Sequence, residues 1–91
     1  MTDSDPIVVE LRAEINELDR KLLAVLNRRL EVVQRLHEHK EVTGMALRDL
    51  EREVAMLRAL EAENPGPLSA AGVASFFTEV LELIRQEQYG V

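Results

Sequence analysis

Two positively charged side chains, Arg29 and Lys40, fall on the apolar face of the long helix that the first half of the sequence predicts. Arg29 takes a position where the helical pattern calls for a leucine. At about 100° per residue, Lys40 lies about 20° around the helix from Arg29 and roughly 16 Å further along it. An unpaired charge on a buried face costs several kcal/mol, so both cations need negatively charged partners. The spacing therefore predicts a site for a small anion.

The other two predicted helices each bring one polar group to their apolar face. Glu53 lies about 40° around its helix from Leu57 and about 20° from Leu60. Gln88 follows Ile84 by one helical turn and shares its face. Taken singly, each polar residue has an ordinary explanation. Arg29 could set the pairing of two helices, and Lys40 could extend its ammonium group from the apolar face to water. Glu53 could lie at the edge of the apolar face, and Gln88 at a frayed helix end. Together they favour a binding pocket, because natural sequences tend to break local rules at functional sites.

Arg12 lies about 100° around the first helix from Arg29 and roughly 25 Å away along its axis. One small ligand therefore cannot meet both arginines of the same helix. If the long helices of two copies pair antiparallel, Arg12 of one copy can approach Arg29 of the other, and symmetry creates two equivalent pockets. The alternative is that Arg12 is an ordinary exposed arginine near a helix start.

Several kinds of catalytic chemistry find no candidate in the sequence. It contains no cysteine, which excludes disulfides, thiolate chemistry and cysteine-based zinc sites. His37 and His39 lie two residues apart, on different sides of a helix, so they are expected to be surface residues rather than zinc ligands. Neither a glycine-rich phosphate loop nor a nucleophile elbow is present. We therefore expect no metal, no cofactor and no covalent intermediate.

Composition indicates one all-α domain that comprises residues 1–91. Hydrophobic residues make up 46% of the chain and charged residues 31%, which is typical of a helical globular protein. With 17 acidic and 11 basic side chains the net charge is -6, which argues against binding to nucleic acid or anionic membranes. The first six residues contain no apolar stretch that would form a secretory signal. Cytoplasm is the expected location.

Three helices of unequal length are predicted. The first has Asp5 as its N-cap and runs from Pro6 to about Val42. The second runs from about Arg48 to Glu63, and the third follows the cap residue Ser69 and ends near Gln88. At 1.5 Å per residue the first helix spans roughly 54 Å, more than the two shorter helices can cover. A second copy of the chain is expected to cover the rest, which gives an intertwined helical dimer.

Each predicted helix has an apolar stripe. In the first it consists of Leu11, Ile15, Leu18, Leu22, Val25, Val32 and Leu36. In the second it consists of Leu50, Leu57 and Leu60 with Val54 beside them. In the third it consists of Val73, Phe76, Phe77, Val80, Leu81 and Ile84.

Three segments carry a pattern of residues that is specific in its order and spacing. The first contains Leu11-Arg12, Ile15, Leu18-Asp19, Lys21-Leu22-Leu23-Ala24, Arg28-Arg29 and Lys40. The second is Arg48-Asp49-Leu50-Glu51-Arg52-Glu53, and the third, a weaker match, contains Phe77, Val80-Leu81 and Gln88. Over nearly its whole length the chain thereby resembles the all-helical (AroQ-class) chorismate mutases.

This resemblance implies a role for each polar residue singled out above. Arg29 would grip a substrate carboxylate, and Arg12 would enter the same pocket from the neighbouring subunit. Lys40 and Gln88 would donate hydrogen bonds to the ether oxygen of the breaking bond. Glu53 would hold the ring hydroxyl.

Asp49 and Arg52 match the remaining wall of the family's pocket, and Ile84, at a further substrate-binding position, departs from the family pattern. At the position of Ile84 many members carry a serine. A backbone group or a water molecule would have to replace that hydroxyl's contact with the substrate carboxylate.

The implied reaction is the Claisen-type rearrangement of chorismate to prephenate, in the biosynthesis of phenylalanine and tyrosine. It is a pericyclic reaction of one substrate, and it needs neither a metal, a cofactor nor a nucleophile. It needs a site that holds the dianionic substrate in a compact conformer and donates hydrogen bonds to the ether oxygen as negative charge grows there. The resemblance leaves open whether another enzyme of the shikimate pathway activates the chain.

Three alternative functions remain open at this point. An isochorismate pyruvate lyase would use the same scaffold and a similar cationic pocket, although Asp49, Arg52 and Glu53 favour the mutase. A non-catalytic helical dimer could sense a metabolite of the aromatic pathway for a partner enzyme. A plain coiled-coil dimer would use Arg29 only to set the pairing of its helices.

Overall fold

The computed structural model describes residues 5–89, and these residues form three α-helices without any strand. Helix α1 comprises Pro6–Thr43, α2 comprises Leu50–Glu63 and α3 comprises Ala70–Tyr89. The prediction of an all-α fold with one long and two shorter helices is confirmed.

Helix α1 begins and ends with the capping interactions that its sequence calls for. The Asp5 carboxylate accepts hydrogen bonds from the backbone amides of Ile7 at 2.9 Å and Val8 at 3.4 Å, as an N-cap residue should. At the other end, Gly44 has a φ of 73°, and the Met45 amide donates to the Lys40 carbonyl oxygen at 2.9 Å. This left-handed glycine cap ends the helix directly after the turn that carries Lys40.

Helix α2 begins at Leu50, two residues later than the expected start at Arg48. The reason is that Asp49 is the N-cap: its backbone is extended, and its carboxylate accepts a hydrogen bond from the Arg52 amide at 3.0 Å. Arg48 consequently lies in the segment before the helix. Because Arg48 precedes the helix, helical geometry does not set the direction of its side chain, which reaches the Glu53 carboxylate.

Ser69 caps α3, as predicted, by accepting a hydrogen bond from the Gly72 amide at 3.0 Å. A Cβ atom at residue 72 would lie 3.2 Å from the Ser69 hydroxyl oxygen, so glycine suits this tight first turn. In the preceding loop, the Asn64 side chain donates to the Leu68 carbonyl oxygen at 2.7 Å and accepts from the Gly66 amide at 3.1 Å. These bonds define where the chain reverses between α2 and α3.

The chain divides after Val32 into two units. The described part of the first unit is the N-terminal portion of α1. The second unit contains the last turns of α1 together with α2 and α3, and α2 packs against α3. Among its described residues, the buried side chains are three of α3: Val73, Val80 and Ile84.

Part of the predicted core is exposed in the single chain. Phe76 is 39% exposed, because neighbouring residues point about 100° apart on a helix and Phe77 takes the inward direction. The prediction that Phe76 is buried is therefore wrong for the single chain. Leu50 and Val54 are also exposed, since they line an open groove on the outer side of α2.

The apolar stripe of α1 is open to solvent as well. Its exposed members are Leu11, Ile15, Leu18, Leu22, Val25, Val32 and Leu36. Contiguous apolar surface of this extent normally marks an interaction site. None of the helices in residues 5–89 combines the length and the apolar character that crossing a bilayer requires.

Candidate active site

Lys40 lies in the last turn of α1, where its ammonium group is held toward the segment that leads into α2. It is half-buried, and its Nζ donates a hydrogen bond to the Leu47 carbonyl oxygen at 3.3 Å. An ammonium group has three donors. One is therefore engaged with the chain's own backbone, which orients the charge, and further donors can serve a ligand.

Glu53 lies in the first turn of α2, and its carboxylate contacts two arginines. Its side chain is 19% exposed, in agreement with the predicted inward placement. Its Oε2 accepts a hydrogen bond from Nε of Arg48 at 3.0 Å, and its Oε1 lies 3.5 Å from Nη1 of Arg85. A guanidinium on either side gives this carboxylate a defined orientation.

Gln88, in the last turn of α3, carries an unsatisfied polar atom. Its Oε1 is buried and has no hydrogen-bond partner among residues 5–89. A buried polar atom without a partner costs about 1–3 kcal/mol, so such an atom calls for a partner such as a water molecule, an ion or a ligand. A half-turn about the last side-chain bond exchanges the oxygen and the nitrogen of an amide, so the same position can present a donor to a ligand. The Gln88 amide can therefore form a hydrogen bond with a ligand.

A contact between Tyr89 and His37 joins the end of α3 to the last turns of α1. The Tyr89 hydroxyl lies 3.0 Å from Nδ1 of His37, and the two rings are stacked with centroids 5.5 Å apart. His37 precedes Lys40 by about one helical turn, and Tyr89 follows Gln88 directly. The contact thus brings the turn of α1 before Lys40 next to the end of α3, where Gln88 lies.

His37 is half-buried beside Tyr89, in a contact that is itself exposed at the surface. His39 is exposed, as predicted. Sequence reasoning missed the partner of His37 because Tyr89 lies 52 residues away in the chain, and no local pattern connects the two.

An amide, an ammonium group and an oriented carboxylate meet the needs of a neutral or anionic oxygen-rich ligand. The two donors can stabilise negative charge on an oxygen, and the carboxylate can accept a hydrogen bond from a hydroxyl. Within residues 5–89, no three histidine, aspartate or glutamate side chains come together in a way that could hold a metal ion.

The family model for chorismate mutase type II matches residues 11–89. The chain belongs to this family. The match begins at Leu11 and includes every residue to which the resemblance assigns a role in the pocket, from Arg12 to Gln88.

Two curated proteins are similar to most of the chain. It is 39% identical over 82 residues to the T-protein of Haemophilus influenzae, with 88% of this chain and 20% of that protein covered. It is 38% identical over 77 residues to the bifunctional chorismate mutase/prephenate dehydratase of Neisseria gonorrhoeae, with 85% and 21% covered. The chain thus spans about a fifth of the length of these relatives.

Solved chorismate mutase structures have the same fold. Form II of the chorismate mutase from Thermus thermophilus superposes with a TM-score of 0.84 at 30% identity, covering 89% of this chain and 92% of that one. Form I from the same organism gives a TM-score of 0.82 at 31% identity, covering 85% and 96%. The three-helix architecture is therefore that of a chorismate mutase.

The other residues that the chorismate mutase resemblance singles out lie in varied surroundings. Arg29 is half-buried and Arg12 exposed, both in the first unit. In the second unit, Asp49 caps α2 and Arg52 donates its backbone amide to that cap, while the Arg52 side chain is exposed. Ile84 is 6% exposed and belongs to the core, where it supports the helix that carries Gln88.

Proposed function

We propose that the chain catalyses the rearrangement of chorismate to prephenate, a step toward phenylalanine and tyrosine. The observation that carries this proposal is the buried Oε1 of Gln88, which has no hydrogen-bond partner among residues 5–89. The next residue, Tyr89, contacts His37, which lies about one turn before Lys40. Membership of the chorismate mutase family gives the ligand that would complete the amide.

Binding comes first in the proposed mechanism. Chorismate carries two carboxylates, and the rearrangement requires its two reacting carbons to approach each other in a compact conformer. Arg29 is proposed to grip one carboxylate through its planar fork of donors. Arg12 of a second copy, together with Asp49 and Arg52, would complete the wall of the pocket. Holding the conformer lowers the entropic part of the barrier.

The second contribution is stabilisation of the transition state. As the carbon–oxygen bond breaks, negative charge grows on the ether oxygen. Lys40 and Gln88 are proposed to donate hydrogen bonds to that oxygen, and such donors stabilise the transition state more than the ground state. The bond from Lys40 to the Leu47 carbonyl oxygen supports this role, because it orients the ammonium group before the substrate arrives.

Glu53 is proposed to accept a hydrogen bond from the ring hydroxyl. Its two arginine partners leave part of its acceptor capacity open, since a carboxylate has about four lone-pair sites. This contact would fix which way the ring faces in the pocket.

The working unit is proposed to be a homodimer in the cytoplasm, and each chain a single domain. The exposed apolar stripe of α1 supports the dimer, because a second copy is the simplest way to bury it. Dimerisation would also bring in Arg12 from the partner. Activation by another enzyme of the shikimate pathway stays a prediction.

Chorismate and isochorismate, presented separately to the purified chain, test the proposed function. We expect loss of chorismate with formation of prephenate. Formation of salicylate and pyruvate from isochorismate would instead indicate the lyase. A chain that consumes neither compound would be the non-catalytic module.

A further inference from the structure

Arg85 in α3 has a guanidinium group that lies between two carboxylates. Its Nη1 is 3.5 Å from Oε1 of Glu53, and its Nη2 is 3.2 Å from Oε2 of Glu82. Glu82 lies one turn earlier on the same helix and its side chain is 53% exposed, so that pair is an ordinary surface interaction that adds little. The contact with Glu53 is different because it joins α3 to α2.

The Arg85 side chain is also the less exposed of the two arginines on Glu53. Its relative exposure is 30%, against 53% for Arg48. A charge-assisted contact between partly desolvated groups is stronger than the same contact in open solvent. Arg85 therefore contacts Oε1 of Glu53 from a less exposed position, while Arg48 makes the shorter contact, a hydrogen bond at 3.0 Å to Oε2.

Removing either arginine would leave one oxygen of Glu53 without its partner. With both in place, rotation of the carboxylate is restricted from two directions. A carboxylate held in one orientation can present its remaining lone pairs to a hydroxyl at small entropic cost.

We propose that Arg85 is a positioning residue, which acts through Glu53 and does not itself touch the substrate. This inference rests on the proposed function, in which Glu53 accepts a hydrogen bond from the ring hydroxyl of chorismate. Arg85 orients the carboxylate, and the carboxylate orients the ring.

Neither the apolar periodicity nor the family resemblance singles out Arg85. Arg85 follows the core residue Ile84, and neighbouring residues on a helix point about 100° apart. The sequence alone would therefore predict that the Arg85 side chain lies outside the apolar stripe and faces solvent. Only the packing of α3 on α2 brings it to Glu53.

The test compares Arg85→Gln, Arg85→Lys and the matched control Glu82→Gln, with kcat and KM for chorismate measured separately. Arg85→Gln should lower kcat/KM about tenfold, because the Glu53 carboxylate loses the positive charge that orients its Oε1. Arg85→Lys should recover part of this loss. Glu82→Gln should leave both constants unchanged, because it removes only the surface partner of Arg85.

The double variant Arg85→Gln with Glu53→Gln distinguishes positioning from a general structural effect. If Arg85 acts through Glu53, its removal should cause no further loss once the Glu53 carboxylate is gone. A full tenfold loss in that background would overturn the inference, as would unchanged kinetics of Arg85→Gln or an equal loss in Glu82→Gln.

Thermal unfolding of the wild type, the two single variants and the double variant gives a readout that does not need turnover. The destabilisations caused by Arg85→Gln and Glu53→Gln should be non-additive if the two side chains interact. Strict additivity would overturn the inference whether or not chorismate is consumed. If the wild-type chain does not convert chorismate, the proposed function is wrong. If the wild type and the Arg85→Gln variant are equally active, only the inference about Arg85 is wrong.

Discussion

Arg29 is the residue at which the enzyme and the plain coiled coil make opposite predictions. In the enzyme its guanidinium binds substrate, so Arg29→Leu should reduce turnover about a hundredfold or more while helicity is retained. In a coiled coil, a leucine in the seam should stabilise the helices. Chorismate kinetics and circular dichroism of the variant decide between them.

Arg28→Leu is the matched control for that substitution. Arg28 is the neighbouring arginine, it is exposed, and it pairs with Glu31 of the same helix at 3.2 Å. Its loss should leave turnover nearly unchanged, since exposed pairs of this kind contribute little. Equal losses in the two variants would remove the special role of Arg29.

Individual residues were predictable where they violate a local pattern. Lys40, Glu53 and Gln88 could be identified because each puts a polar group on an apolar face, and the structure places all three half-buried. Arg85 and the pair of Tyr89 with His37 could not be identified in this way. Each looks like a surface residue in its own helix, and only packing between helices shows what it contacts.

At the scale of the elements, the helix ends followed from cap chemistry. Asp5 and Ser69 mark the helix starts because their side chains accept backbone hydrogen bonds. The start of α2 was misplaced because Arg48 and Asp49 are both compatible with a first turn, and only the side-chain bond to the Arg52 amide identifies Asp49 as the cap. Periodicity could not predict which apolar side chains are buried, because burial depends on which other helix packs against each face.

Gly44 provides a prediction about the element that carries Lys40. Its φ of 73° is favourable for glycine and strained for alanine. Gly44→Ala should lower the free energy of unfolding by about 1 kcal/mol, which lowers Tm by about 4–8 °C for a domain of this size. Calorimetry measures the shift.

Gly44→Asn tests whether the loss of stability comes from the positive φ of residue 44 or from the added side chain. A Cβ atom at Gly44 meets open space, so crowding cannot account for a loss. Asparagine tolerates the left-handed region better than alanine does, so its variant should be the more stable of the two. The reverse order would contradict the role assigned to this cap.

At the scale of the whole molecule, the proposed dimer predicts complementation between two defective chains. Suppose each pocket takes Lys40 from one copy and Arg12 from the other. A mixed dimer of Arg12→Ala and Lys40→Ala chains then contains one intact pocket and one pocket with both defects. Random pairing in equal amounts should restore about a quarter of the wild-type activity.

Co-expression of the two variants, followed by chorismate kinetics and sedimentation, tests this prediction. Each variant alone should be nearly inactive and dimeric. Failure of the mixture to regain activity, with mixed dimers present, would mean that Arg12 does not complete a neighbour's pocket. A monomer at all concentrations would exclude the shared pocket altogether.

The central claim is that a donor amide at Gln88 stabilises the charge that grows on the ether oxygen of chorismate. Comparing kcat of Gln88→Ala with that of Gln86→Ala, with prephenate identified as the product, tests it most directly. Gln86 lies on the same helix, is exposed and donates a hydrogen bond to Glu82 of that helix at 3.4 Å. We predict a loss in kcat of about a hundredfold for Gln88→Ala and an unchanged kcat for Gln86→Ala. A Gln88→Ala variant that turns chorismate over at the wild-type rate would contradict the account.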